Sequence, residues 1–259
     1  MKLGIIQGRL TPSVDGHIQE FPIDAWEKEF DIIKILNLNH IEWILTTKSI
    51  FNGVLDFNIK EYSPFISSIC CDNLITSKIF NNNFLITELN RVCTFANNNN
   101  ITDLTIPLLE KSELTINNKN YIYNAFKKIG CEYKNLNFIF ELDCDPKLAQ
   151  DLTLLLDNFF LVFDTGNITT SGYNTIEWLN MNYDKIVNVH LKDRTVMPIE
   201  TVTPFTGDVD FAEIFDFLAN KKYNNLFTLQ TAREKETDEI NTITRHIKQF
   251  TNLFYEKFI

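Results

Sequence analysis

Residues 138–167, FIFELDCDPKLAQDLTLLLDNFFLVFDTGN, hold the pattern that decides the fold. An apolar run over Phe138–Glu141 ends on a carboxylate. Pro146–Leu156 then reads as a helix, with proline in the first turn, where a missing N–H costs nothing. A second apolar run, Phe159–Phe163, follows and again meets a carboxylate, Asp164. Short runs that are apolar at nearly every position are how strands buried on both faces read. Strand, helix, strand in this spacing is one βαβ unit of a parallel sheet.

The same unit recurs in both directions. Further apolar runs lie at Leu3–Ile6, Ile41–Ile44, Phe65–Cys71, Leu104–Ile106, Ile186–Leu191 and Leu226–Leu229. Helical periodicity fills the gaps at Asp24–Leu36, Phe84–Ala96, Asn118–Ile129, Thr175–Asn182, Phe211–Ala219 and Glu239–Tyr255, with Asn58–Tyr62 the weakest of the set. Eight strands alternating with about eight helices in 259 residues predict a single-domain (β/α)₈ TIM barrel spanning 1–259. A doubly wound open sheet is the alternative. Thr195–Val209 is long and irregular, follows the seventh strand, and is expected to be a loop or lid over the catalytic face. Asparagine runs at 81–83 and 97–100 read as exposed loops.

Composition removes several classes of function. A net charge of −10 opposes a polyanionic partner, so no nucleic acid is expected. No stretch approaches the ~18 apolar residues of a membrane helix. Met1–Leu10 carries no cleavage signal, and the five cysteines form no CxxC pair. The chain therefore reads as cytoplasmic, with free and mostly buried thiols. Phenylalanines number 22 against 3 tryptophans, and most should be core, because Phe has no polar tip to satisfy.

The active site of such a barrel lies at the carboxyl ends of its strands. Those ends carry Gln7 and Arg9, Glu42, Asp72, Pro107, Glu141 and Asp143, Asp164 and Asn167, His190 with Lys192 and Arg194, and finally Gln230 with Arg233. Charges gathered at one mouth would each cost several kcal/mol if buried unpaired, and a shared cation removes that cost. Glu141, Asp164, His190 and Gln230 come from strands five to eight in succession. Their mixed oxygen and nitrogen donors suit a divalent metal ion such as Mn, Mg, Co or Zn.

The motifs Ile139-Phe140-Glu141, Val162-Phe163-Asp164-Thr165-Gly166-Asn167, Val189-His190-Leu191-Lys192-Asp193 and Gly207-Asp208-Val209-Asp210-Phe211 resemble the xylose isomerase-like superfamily. They are most similar to its sugar phosphate isomerase/epimerase branch. The similarity runs from Gln7-Gly8-Arg9 to Gln230-Thr231-Ala232-Arg233. It implies a metal held by Glu141, Asp164, His190 and the strand-eight residue, and a metal-dependent isomerase or epimerase working through an enediolate on a small sugar or sugar phosphate. In that branch, glutamates on strands five and eight exchange the substrate proton. Here Gln230 stands in place of the second, and an amide has no proton to exchange near neutral pH. Glu141 must then work with another group, Lys192, Glu42 or Asp72. A dehydratase or other lyase, or a non-catalytic barrel relative, remains open. An endonuclease IV-like phosphodiesterase needs many histidines, and only His190 is placed for one.

The substrate contacts expected at the mouth are Arg9, Gln7, Asp72, Asn167, Arg194 and Arg233, the cations suiting an anionic group. Each has a plainer reading. Glu42 and Asp72 would pair with rim cations, Asn167 would cap the helix after strand six, and Lys192 and Arg194 would be solvated. His17, His40 and His246 read as peripheral, with His246 on the polar side of the last helix. The chain is expected to pair as a homodimer.

Overall fold

The computed structural model describes residues 1–76, 79, 83–234 and 238–259. Eight parallel strands close into a barrel: β1 (Lys2–Ile6), β2 (Ile41–Ile44), β3 (Ile66–Cys70), β4 (Asp103–Pro107), β5 (Asn137–Glu141), β6 (Phe159–Asp164), β7 (Ile186–Leu191) and, after the hairpin β8 (Asp193–Val196) and β9 (Ile199–Val202), β10 (Leu226–Leu229). Their order round the barrel is β1-β10-β7-β6-β5-β4-β3-β2. The helices are α1 (Trp26–Ile35), α2 (Thr47–Phe51), α3 (Phe84–Asn98), α4 (Lys119–Glu132), α5 (Pro146–Thr153), α6 (Thr165–Thr170), α7 (Thr175–Asn182), α8 (Phe211–Asn220) and α9 (Glu239–Phe258). All eight apolar runs are barrel strands, and the open-sheet alternative falls.

Three segments differ from the sequence reading. Asn58–Tyr62 is not a helix. The β2–β3 connection instead holds α2, closed by a capping box in which Thr46 and Ser49 bond reciprocally, and two 3₁₀ turns. Gly53 at φ +81° and Pro64 at the start of the second turn stop any longer helix there. Thr195–Val209 is not irregular throughout: it contributes most of the antiparallel β8–β9 hairpin, whose register pairs Asp193 with Val202. Of the asparagine runs, 81 and 82 lie outside the described residues. In the other run, Asn99 is buried rather than exposed. Its side chain accepts from the Ile59 amide at 2.7 Å and donates to the Phe95 carbonyl at 3.0 Å, tying α3 to the β2–β3 connection.

Aromatic packing sets the wall around the barrel. Trp26 and Phe30 of α1 pack on Trp43 of β2, with the two indole centroids 5.3 Å apart. Four of the five cysteines are buried free thiols, with only Cys131 exposed. Among the described residues, no helix is long and apolar enough to cross a membrane.

The inside of the barrel departs from the usual apolar layering. A directed hydrogen-bond chain runs through it. Thr228 Oγ1 donates to Asn188 Oδ1 (3.0 Å), so its oxygen accepts from His40 Nε2 (3.0 Å). Asn188 Nδ2 donates to Glu42 Oε2 (3.3 Å), and His190 Nε2 donates to the same oxygen (2.8 Å). Ser68 and Thr105 bond to each other at 2.8 Å in the same interior. His40 is therefore an interior residue, 5% exposed, and not a peripheral one. Burial pulls its pKa down to about 4, so it sits there neutral. Gly4 makes the space: a Cβ on it would lie 2.2 Å from the imidazole.

Gly4→Ala is expected to destabilise the barrel by about 1–3 kcal/mol through overpacking. Adding His40→Ala should recover much of that loss, so the pair costs less than the sum of the singles. Urea unfolding of the three variants measures this; strict additivity would disprove the contact.

Candidate metal centre

Glu141, Asp164 and His190 close β5, β6 and β7, which are neighbours in the barrel, and Asp164 and His190 face each other in register. The parallel register thus delivers three donors to one place. One ligand atom from each lies within 4.8 Å of the others. All three side chains are buried.

His190 is oriented from below. Its Nε2–H is committed to Glu42, which leaves Nδ1 as the nitrogen facing the centre, 3.5 Å from Glu141 Oε2 and without a hydrogen-bond partner. A carboxylate behind a histidine in this way fixes tautomer and ring angle in metal sites. Burial pulls the imidazole's pKa down, but Glu42 and Glu141 outweigh it and raise it, so in the absence of a cation Nδ1 holds a proton that a metal ion would displace. Burial likewise pushes Glu42 up, and His190 reverses that to below the usual carboxylate value. Glu42 is fully buried and does not line the mouth, so it acts on His190.

Asp164 caps α6, its Oδ1 accepting from the Asn167 amide at 2.7 Å. The cap is thus Asp164 and not Asn167. Asp164 Oδ2 pairs with Lys192 Nζ at 2.9 Å. Asn167 bridges instead: Nδ2 donates to Glu141 Oε1 (2.9 Å), and Oδ1 accepts from Arg194 Nη1 (3.1 Å). Gly166 lets this layer close, since a Cβ there would meet Arg194 Cγ at 2.8 Å. Asp193 serves the hairpin: its carboxylate accepts from the amides of Thr206, Gly207 and Val209. The Lys192-Asp193 and Gly207-Asp208 motifs are thereby joined.

Gln230, closing β10, is 4% exposed. Its Oε1 has no hydrogen-bond partner, while Nε2 donates to Gln19 Oε1 at 3.3 Å. Gln19 gave no signal in the sequence, yet it also accepts from Arg9 Nη2 (3.3 Å) and donates to Asp72 Oδ1 (2.8 Å). Glu29 was missed as well. It is buried on α1 and accepts from the Gly8 and Leu10 amides and the Thr11 hydroxyl, fixing the loop that carries Arg9. Its place on the apolar stripe beside Trp26, Phe30 and Ile33 was the available clue.

The remaining strand-end residues divide by where they point. Gln7 is fully buried and accepts from the Ile44 amide at 3.3 Å, joining β1 to β2. Arg233 donates to the carbonyls of Gly8, Thr11 and Ile18 and to Glu239, so its guanidinium is spent on the loop after β1. Arg9 is buried, and burial with nearby Arg233 pulls its pKa down to about 9. His246 is not on a polar face: it is fully buried between Thr231 Oγ1 (2.9 Å) and Glu234 Oε1 (3.2 Å).

The mouth is a cavity of about 250 Å³. One wall is acidic, with Asp72, Glu141 and Asp143; the other carries Lys192 and Arg194, with Asn167 and Gln230 lining the same space. Its size is below the roughly 300–1,000 Å³ of drug-sized pockets, which suits a small polar ligand. Burial raises both Asp72 and Asp143 to about 6, with Glu141 adding to Asp72 and Glu113 to Asp143.

Residues 134–251 match the family described as the xylose isomerase-like TIM barrel. All four residues proposed from strands five to eight lie inside that segment. Inosose dehydratase of Clostridium perfringens is 25% identical over 115 residues, covering 36% of this chain. That match spans only 39% of the relative's own length. Over the whole barrel, the IolI protein, solved with a zinc atom, superposes with a TM-score of 0.74 at 16% identity, covering 100% of this chain and 99% of that one. L-ribulose 3-epimerase superposes with 0.71 at 16% identity, over 98% and 94%. At such identities the structural likeness is one of fold. Epimerases and dehydratases are both found on this barrel.

Asp72 supplies a pH test. Its folded pKa, about 6, lies above the ordinary aspartate value of 3.8, so the folded chain binds more protons in that window and stability falls as pH rises through it. Asp72→Asn should raise stability at pH 7 by on the order of 1–2 kcal/mol, allowing for partial exposure, and change little at pH 4. Thermal unfolding at both values checks this; equal shifts at the two would refute it.

Proposed function

We propose that the chain holds one divalent cation through Glu141, Asp164, His190 Nδ1 and Gln230 Oε1, and uses it to isomerise or epimerise a small sugar or sugar phosphate. One observation carries the reading. Three donors from successive strands converge within 4.8 Å, while His190 Nδ1 and Gln230 Oε1 stand buried without hydrogen-bond partners. Buried polar atoms are seldom left so without a ligand. Carboxylate, imidazole and amide oxygen together suit Mn, Mg, Co or Zn.

When bound, such an ion polarises a substrate carbonyl and acidifies the adjacent C–H. The rest falls to the chain. Glu141 reaches the cavity and takes the proton, steadied by Asn167 on its other oxygen. Lys192 lines the same cavity, pairs with Asp164, and serves as the second proton-transfer group. Gln230 does not titrate near neutral pH and so serves as neither general acid nor general base. Glu42 acts on His190 and not on substrate. Lys192 and Arg194 give the cavity a cationic side for a phosphate or other anionic group.

A dehydratase is the second reading. The local similarity to inosose dehydratase favours it, and elimination of water needs one base, Glu141, and one acid, Lys192, to protonate the departing hydroxyl.

Elemental analysis of purified wild type should find about one divalent metal per chain, and none in His190→Ala. Glu42→Gln should weaken metal binding about ten- to a hundredfold by releasing the imidazole. With metal bound, ketoses and keto-inositols incubated in D₂O should exchange the hydrogen next to the carbonyl. Epimerised ketose in the product marks the first reading, and a dehydrated product the second. A metal-loaded protein that exchanges nothing across the panel would leave a binding barrel.

A further inference from the structure

Gln19 joins three groups that the strand-end pattern offers separately. Its amide nitrogen donates to Asp72 Oδ1 at 2.8 Å. Its amide oxygen accepts from Arg9 Nη2 and from Gln230 Nε2, each at 3.3 Å. An amide can be read in either orientation only when its neighbours permit both. Here they do not. A carboxylate accepts and an arginine only donates, so Gln19 has one orientation. Its oxygen then demands a donor from Gln230, which can be only Nε2. The oxygen of Gln230 is left facing away, buried and without a hydrogen-bond partner.

We propose that Gln19 is the positioning residue of the metal centre, carrying the polarity of the Asp72 carboxylate to Gln230 and so turning the Gln230 carbonyl oxygen toward the cation. The inference rests on the metal reading above. It accounts for an amide at the end of β10. A carboxylate at position 230 would have no hydrogen to give Gln19 Oε1. To donate to it, Gln19 would have to turn its oxygen onto Asp72, setting oxygen against oxygen. Gln230 and Asp72 are thus one arrangement, with the acidic group held on β3 and a neutral oxygen donor on β10.

The test titrates cobalt(II) chloride into metal-free protein. It reads the dissociation constant together with the visible d–d band, which reports the donor set. Gln19→Leu should bind about tenfold or more weakly and change the band, as expected when an outer partner of a ligand is lost. Gln230→Leu should weaken binding at least as much, and Gln19→Leu/Gln230→Leu no more than Gln230→Leu alone. Gln19→Glu/Asp72→Asn keeps an acceptor for Gln230 Nε2 and a donor–acceptor contact between positions 19 and 72, and should stay within a few-fold of wild type with the same band. Melting curves of the metal-free forms confirm folding; Gln19 is only half-buried, in the loop after β1. Weak binding by Gln230→Leu beside wild-type binding by Gln19→Leu would overturn the positioning role while leaving the metal site intact. Wild-type binding by Gln230→Leu would overturn it too, leaving a three-residue site. Equal losses in Gln19→Leu and Gln19→Glu/Asp72→Asn would also count against it. No cobalt uptake by wild type would remove the metal reading and the inference together.

Discussion

The buried contact between Glu42 and His190 is the constraint on which the rest of this barrel depends. Two ionisable groups sit at zero exposure inside a closed sheet, 2.8 Å apart. Either one alone there would be expensive, and together they are tolerable only because hydrogen bonds surround them. The surrounding bonds come from Asn188, Thr228 and His40, which is why the interior is polar where a barrel of this kind is usually aliphatic. Gly4 on β1 follows from that choice, because only a residue without a Cβ leaves room for the His40 ring. The consequence at the mouth is chemical. With Nε2 committed to Glu42, Nδ1 is the nitrogen left facing Glu141, so the barrel core decides which nitrogen a cation at the proposed centre would meet.

The cations of the mouth divide their labour along similar lines. Lys192 and Arg194 follow β7 and reach the cavity across Gly166 and Asn167. Arg9 and Arg233 follow the adjoining strands β1 and β10; Arg233 is spent on structure, while Arg9 bonds Gln19 and keeps Nε and Nη1 without hydrogen-bond partners. Arg233 gathers three carbonyls of the loop after β1, while Glu29 holds the amides of the same loop. That loop carries Gly8 at φ +85°, where a Cβ would strike the Glu20 carbonyl. It is therefore a rigid support for Gln19, held from one side by an arginine and from the other by a buried carboxylate.

The strands were legible because double-sided burial keeps each run mostly apolar despite the polar residues that face the barrel interior, and three of the eight runs match the strand bounds residue for residue. Helices longer than two turns were legible for the same reason in reverse: their polar faces make a period. What failed were elements too short to have a period. α2 and α6 are single turns held by side-chain caps, and the β8–β9 hairpin has only four residues a side. The convergence of Glu141, Asp164 and His190 could be read because each lies at or beside the carboxyl end of a strand, and strand ends share one mouth. Direction could not be read. Nothing in the string separates Arg9 and Arg233 from Lys192 and Arg194, or shows that Glu42 faces down the barrel. Gln19 lies in a polar loop, and its importance arises only from three partners that are distant in sequence.

The amide at position 230 narrows the chemistry further. A mouth with matched carboxylates on either side of the metal would move a proton in both directions by the same kind of group. This mouth is asymmetric: Glu141 faces Lys192 across Asn167, and Asp72, another of its acidic groups, is tied to Gln19. A carboxylate base opposite an ammonium acid favours reactions in which one proton leaves carbon and a different one is given to oxygen. Under the proposed roles, loss of water has that form, whereas isomerisation between neighbouring carbons has it only in its first half, because the enediol must then lose a hydroxyl proton and take a proton on the adjacent carbon. Inversion at a single carbon needs a proton delivered to the opposite face of the same atom, and Lys192 would have to reach it there.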